Sequence, residues 1–108
     1  MSSSFSNQVK AYRRRLGFAQ SDMAVLLGDR STSRVSRYER GRRLPPLLIG
    51  LTYQAIFGVA GAELFPKEYA AVLRSVRDRA KTLASKSHPK NAARAAQRKR
   101  AINNLLAR

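Results

Sequence analysis

The sequence predicts an all-α fold: a compact five-helix unit over residues 5–66, followed by a basic helical extension. Three observations predict it. Apolar residues recur at helical spacings of three and four, and no stretch alternates as a strand would. Gly17, Gly28, Gly41 and Gly58 stand where successive periodic runs stop, as helix-ending glycines do.

Phe5, Val9, Tyr12 and Leu16 fall four, three and four residues apart, one face of a first helix that Gly17 ends. Gln20 to Leu27 forms a second short helix with Met23, Ala24 and Leu27 inward and Gly28 as its stop. Asp29 to Ser33 is a polar turn in which Ser31, Thr32 or Ser33 can cap a third helix running to about Arg40. Pro45-Pro46 opens a fourth, with Leu47, Leu48, Leu51, Ala55 and Ile56 expected inward and Gly58 closing it. A short turn from Ala62 to Phe65 completes the unit.

Beyond Pro66 the pattern changes. Over residues 67–86, Tyr69, Leu73, Val76, Ala80 and Leu83 make a four-three-four-three seam, the mark of an amphipathic helix that pairs with a second chain or packs back on its own. Ser85 to Pro89 interrupts it. Residues 87–108 form a basic tail, helical or disordered, with Ala95, Ile102, Leu105 and Leu106 on one side of its helix and Arg94, Arg98, Lys99 and Arg100 elsewhere.

Charge bounds the partners. The chain of 108 residues holds 22 Lys and Arg against 6 Asp and Glu, net +16. Residues 1–66 contribute 10 basic and 4 acidic residues, net +6, and residues 67–108 contribute 12 and 2, net +10. So basic a chain repels itself unless a polyanion is near, and nucleic acid is the first expectation. No apolar run approaches the ~20 residues that span a bilayer, so no membrane partner is expected. There is no cysteine, hence no disulfide framework and no thiolate site. The one histidine, His88, sits beside Pro89 without ligand companions and is expected in an exposed loop, so no metal and no cofactor are expected. The N-terminus lacks a signal-peptide layout, and a cytoplasmic location is expected. Glycine-rich phosphate loops and carboxylates at catalytic spacing are absent too, which counts against an enzyme.

Residues 20–45 carry the most specific pattern: Gln20, Met23-Ala24, Leu26-Leu27-Gly28, Val35-Ser36-Arg37-Tyr38-Glu39-Arg40-Gly41 and Pro45. With Val9-Lys10-Ala11-Tyr12-Arg13, Leu16-Gly17-Phe18-Ala19 upstream and Ala55-Ile56-Phe57-Gly58-Val59, Glu63-Leu64-Phe65 downstream, the chain resembles the Xre/Cro/phage-repressor family of helix-turn-helix DNA-binding domains over roughly residues 8–65. The resemblance implies a lambda-repressor-like five-helix domain that inserts its third helix into the major groove of double-stranded DNA. It implies base contacts from Thr32, Ser33, Ser36 and Arg37, whose hydroxyls donate or accept and whose guanidinium can grip a guanine. It implies phosphate contacts from Gln20 at the start of the second helix and from Arg34, Arg40, Arg42 and Arg43. Arg13 and Glu39 match a structural pair that ties the first helix to the end of the third, Val35 should pack inward against Ala24, and Tyr38 should form a wall of the domain. Two departures stand out: the turn from Gly28 to Val35 is one residue longer than the family's usual spacing, and Ala19 replaces the usual Ser or Thr cap.

These observations favour a sequence-specific DNA-binding transcriptional regulator, a repressor of prokaryotes, their phages or mobile elements, acting as a homodimer on an inverted repeat. Two alternatives stand beside it. One is an antitoxin or bridging module that holds a partner protein through its C-terminal segment, disfavoured by the basic tail. The other is a sequence-tolerant nucleic-acid-binding protein driven by that tail.

Overall fold

The computed structural model describes residues 7–86 and 90–108. Phe5 and the N-terminal residues before it, with His88 and Pro89, lie outside the described residues. The described residues form seven helices and no strand: α1 (Val9–Arg15), α2 (Gln20–Leu26), α3 (Ser33–Glu39), α4 (Leu47–Phe57), α5 (Gly61–Leu64), α6 (Pro66–Ala84) and α7 (Ala92–Ala107). Among them no helix is long and apolar enough to cross a membrane. The chain divides into two compact units, Met1–Tyr69 and Ala70–Arg108.

The first unit closes around Val9, Met23, Ala24, Val35, Tyr38, Tyr53 and Leu64, all buried, with Tyr12, Phe18, Leu27, Ile49 and Phe57 packed against them. Burying each large apolar side chain stabilises by about 1.5–3 kcal/mol, which matters because seven-residue helices such as α1, α2 and α3 do not stand alone in water. α1 packs on α3 and α4, and α2 on α3. Aromatic rings thread the centre: Tyr53 stacks on Phe57 at 5.8 Å and meets Tyr38 edge-on at 6.4 Å.

The helix ends are closed locally. After α2, the Gly28 N–H donates to Val25 O (3.0 Å) and the Asp29 N–H to Ala24 O (2.8 Å). After α3, the Gly41 N–H donates to Tyr38 O (3.1 Å) and the Arg42 N–H to Arg37 O (2.9 Å). Both are Schellman closures, which need a left-handed residue at the turn; φ is 74° at Gly28 and 71° at Gly41. α1 ends with the same pair of bonds, from Gly17 to Arg14 O and from Phe18 to Arg13 O.

Several expectations are corrected. α4 turns Ile49, Tyr53, Ile56 and Phe57 to the core, whereas Leu47, Leu48, Leu51 and Ala55 face out. Besides Tyr53, Thr52 and Gln54 are its only polar side chains, too few to announce its phase; the Tyr53–Phe57 stack sets it. Leu16 is half exposed because α1 stops at Arg15 and the chain turns there. None of Ser31, Thr32 and Ser33 caps α3 as expected: Thr32 stands at the cap position without a side-chain bond, and Ser31 Oγ accepts only a long 3.4 Å bond from the Ser33 N–H.

In the second unit, α7 is a formed helix capped by Asn91, whose Oδ1 accepts from the Arg94 N–H at 3.1 Å. Ala80 on α6 and Ile102 on α7 are its buried residues. Arg98 is half-buried on the same side of α7 as Ala95, Ile102 and Leu105, and its Nη2 donates to Leu83 O at 2.8 Å, while Leu106 is exposed. Of the apolar seam, Ala80 is thus covered by the chain itself, Leu73 and Val76 are half-buried, and Tyr69 and Leu83 are exposed.

Tyr53 is fully buried, yet its hydroxyl has no hydrogen-bond partner among the described residues. Burial, then the charge of Glu39, then Tyr38 push its pKa far above the ordinary tyrosine value, so it stays neutral. An unpartnered buried hydroxyl costs stability. Tyr53→Phe is therefore expected to leave the melting temperature unchanged or raise it, while Tyr53→Ala, which empties the centre of the aromatic stack, should cost about 3–5 kcal/mol in chemical denaturation.

Candidate nucleic-acid interface

The site is built on α2, the turn after it, and α3. Helix α3 has two opposed faces because Val35 and Tyr38, three residues apart, both go inward. Val35 and Ala24 lie in one buried cluster. Thr32, Ser33, Arg34 and Arg37 are exposed on the outer side, and Ser36 is half-buried. α3 has no acidic residue in its first turn, so its outer face offers hydroxyls and guanidinium groups alone.

Beneath this face lies a buried ion pair. Arg13 Nε donates to Glu39 Oε2 at 2.6 Å and Nη2 to Oε1 at 3.1 Å, a two-pronged contact between α1 and the last residue of α3. The side chains are 9% and 2% exposed. Arg13 Nη1 also donates to Phe18 O at 2.8 Å, and Gln20 Nε2 donates to Glu39 Oε1 at 3.2 Å. Every unit of acid at the base of α3 is thereby matched, and the first residue of α2 is tied to the last of α3.

Gln20 is half-buried at the α2 start, its amide held by Glu39. Ala19 cannot cap α2 with a side chain, but Asp22 reaches back to accept from the Ala19 N–H at 2.8 Å, the other half of a capping box. Arg34 leans toward Asp29 at 3.8 Å, a partly exposed pair that contributes little. Arg40, Arg42 and Arg43 are exposed around the Gly41 turn. Arg13, the arginine of the first unit committed to a buried acid, is withdrawn from this surface, and the other arginines keep its outward charge positive.

A family model described as a helix-turn-helix domain matches residues 4–62, more than half of the chain. The chain belongs to the helix-turn-helix domain family. The match spans α1 to α4, so the motif of α2, turn and α3 lies within the helix-turn-helix domain. A helix-turn-helix domain points to a DNA-binding regulator. No curated protein and no solved structure matches the chain.

Two positions that hold the helix-turn-helix domain together escaped the sequence reading. Asn7 Nδ2 donates to Tyr38 O at 2.8 Å while its Oδ1 accepts from the Val9 N–H at 3.0 Å, tying the start of α1 to the end of α3. An Asn just before an apolar run is a cap signal and was legible. Tyr53 carried no such signal within an apolar helix.

Removing one partner of a buried pair strands the other's charge. Arg13→Ala should lower unfolding free energy by about 3–5 kcal/mol. The joint replacement Arg13→Met with Glu39→Leu should cost far less than Arg13→Ala alone; urea titration of the three proteins decides, and equal losses would show that the packing of Arg13, not the charge of Glu39, matters.

Proposed function

We propose that this chain is a sequence-specific double-stranded-DNA-binding transcriptional regulator of the Xre/Cro/phage-repressor type, with a lambda-repressor-like domain that lays α3 in the major groove. It acts in the prokaryotic cytoplasm as a repressor and is not an enzyme. The observation that carries this is the division of α3: Val35 and Tyr38 anchor it inward, leaving Thr32, Ser33 and Arg37 with half-buried Ser36 to meet base edges. Arg34, Arg40, Arg42 and Arg43 suit phosphate contacts that fix register without reading sequence, and Gln20 joins them at the start of α2. One recognition helix touches few base pairs, so two copies read an inverted repeat whose half-sites lie about one helical turn, roughly 34–36 Å, apart.

A second reading has one observation behind it. α7 is an ordered helix carrying exposed Arg94, Lys99 and Arg100, in a segment of net +10. Such a helix binds phosphate backbones whatever their sequence. Selection of bound sites from a random DNA pool separates the two: a recovered motif supports the regulator, and no enrichment supports the sequence-tolerant binder.

On the recovered site Arg37→Ala should cost about 1–3 kcal/mol, and much less on random duplex. Equal losses on both would make Arg37 a phosphate contact. Arg42→Ala and Arg43→Ala should weaken both duplexes alike and each flatten the log-log salt dependence by about one unit. A slope that stays unchanged in both variants removes the Gly41 loop from the interface.

A further inference from the structure

The outer face of α4 is the least explained surface of the molecule. Leu47 and Leu48 are 77% and 75% exposed, and Leu44 and Leu51 about half exposed. Scattered exposed leucines are ordinary, but four within eight residues, on one helix and its approach, form a contiguous apolar strip of the kind that marks an interaction surface. The core does not need them, since Ile49, Tyr53, Ile56 and Phe57 are the residues α4 turns inward.

What fits this strip follows from charge. From Leu44 to Ala62 the chain has no Asp, Glu, Lys or Arg, although it carries 28 such residues over its 108. Two copies of a chain with net +16 repel each other along almost any approach. A two-fold contact sets one patch against the same patch, so a patch whose charges are mostly of one sign meets that sign again. The α4 strip is long, apolar and uncharged, and meets its own image without that penalty. The α6 seam does not: Arg74, Arg77 and Arg79 flank it, and Ala80 within it is already buried.

We propose that the Leu44–Leu51 face of α4 is the docking surface for a second copy of this chain, assigning to the dimer of the preceding reading its contact. Four leucines on each copy cover less surface than a standard specific interface, so the dimer is weak in free solution. Arg42 and Arg43 immediately precede the strip and carry like charge to its rim, so salt strengthens the dimer by screening them.

The test is the oligomeric state of the full chain without DNA, by sedimentation equilibrium from micromolar to submillimolar protein at low and high salt. The wild type should dimerise reversibly, more tightly at high salt. Leu47→Glu with Leu48→Glu should abolish the dimer while keeping the helical signal, because both side chains are largely exposed. If that pair unfolds, Leu47→Ala with Leu48→Ala serves instead and should weaken association about ten-fold or more, as two lost apolar contacts on each copy require. Tyr69→Glu with Leu83→Glu should leave association unchanged. A wild type that stays monomeric under every condition overturns the proposal, as does a dimer that survives both α4 variants or is lost only with the α6 pair. Because no DNA is present, a chain that dimerises through α4 yet recovers no motif from random DNA refutes the regulator and leaves this contact standing.

Discussion

A carboxylate with almost no access to water sits at the foot of α3, and most of the first unit is arranged around keeping it matched. Glu39 accepts from both prongs of Arg13 and from Gln20, so α1, α2 and α3 are all anchored on one side chain. A buried pair of this kind is weak ground for stability in itself, since apolar replacements can do as well. Its geometric effect is larger: two bonds from α1 and one from α2 fix where α3 ends relative to both helices. Asn7 adds a fourth restraint at Tyr38 O. An outer face can only be offered in one orientation when its inner face is held this firmly.

Charge and apolar surface are partitioned along the chain to match. Arginines crowd α3 and the loop after it, then disappear for the whole of α4 and the approach to α5. The first stretch is suited to a polyanion; the second is suited to contact with protein. Their adjacency in sequence means that whatever settles on one stands close to the other. The second unit is basic again; it buries Ala80 and Ile102, and Arg98 is drawn in against Leu83 rather than left with the other cations of α7.

Much of this was legible in the sequence. The all-helical class, the glycine stops and the inward course of Met23 and Ala24 follow from periodicity and punctuation, and the inward course of Val35 and Tyr38 from the family resemblance. The phase of α4 was not legible, because with leucine and isoleucine on every side only the rings of Tyr53 and Phe57, meeting Tyr38 and Tyr12 in space, choose which face turns in. The place of Arg98 was not legible for a related reason: a long side chain in an alanine-rich helix can bury its stem, and only its neighbour in space reveals that it does. For the candidate interface, the family resemblance named the exposed arginines, whereas the cap expected from Ser31, Thr32 or Ser33 did not form. Asp29 holds that turn instead, through its bond to the Arg30 N–H at 2.9 Å.

The glycine closure of α2 bears on how such a chain can diverge. With the last carbonyls of α2 satisfied by Gly28 and Asp29, that helix asks nothing of the residues that follow. α3, for its part, takes its rotation from Val35 and Tyr38, which the core claims, and not from the turn that leads into it. Residues 30 and 31 therefore lie between two ends that are fixed largely by other residues, Gly28 and Asp29 on one side and Thr32, Val35 and Tyr38 on the other. A residue gained or lost there alters what the tip of the turn displays but does not rotate α3, so this short stretch is free to vary in length while the face beside it keeps its aim.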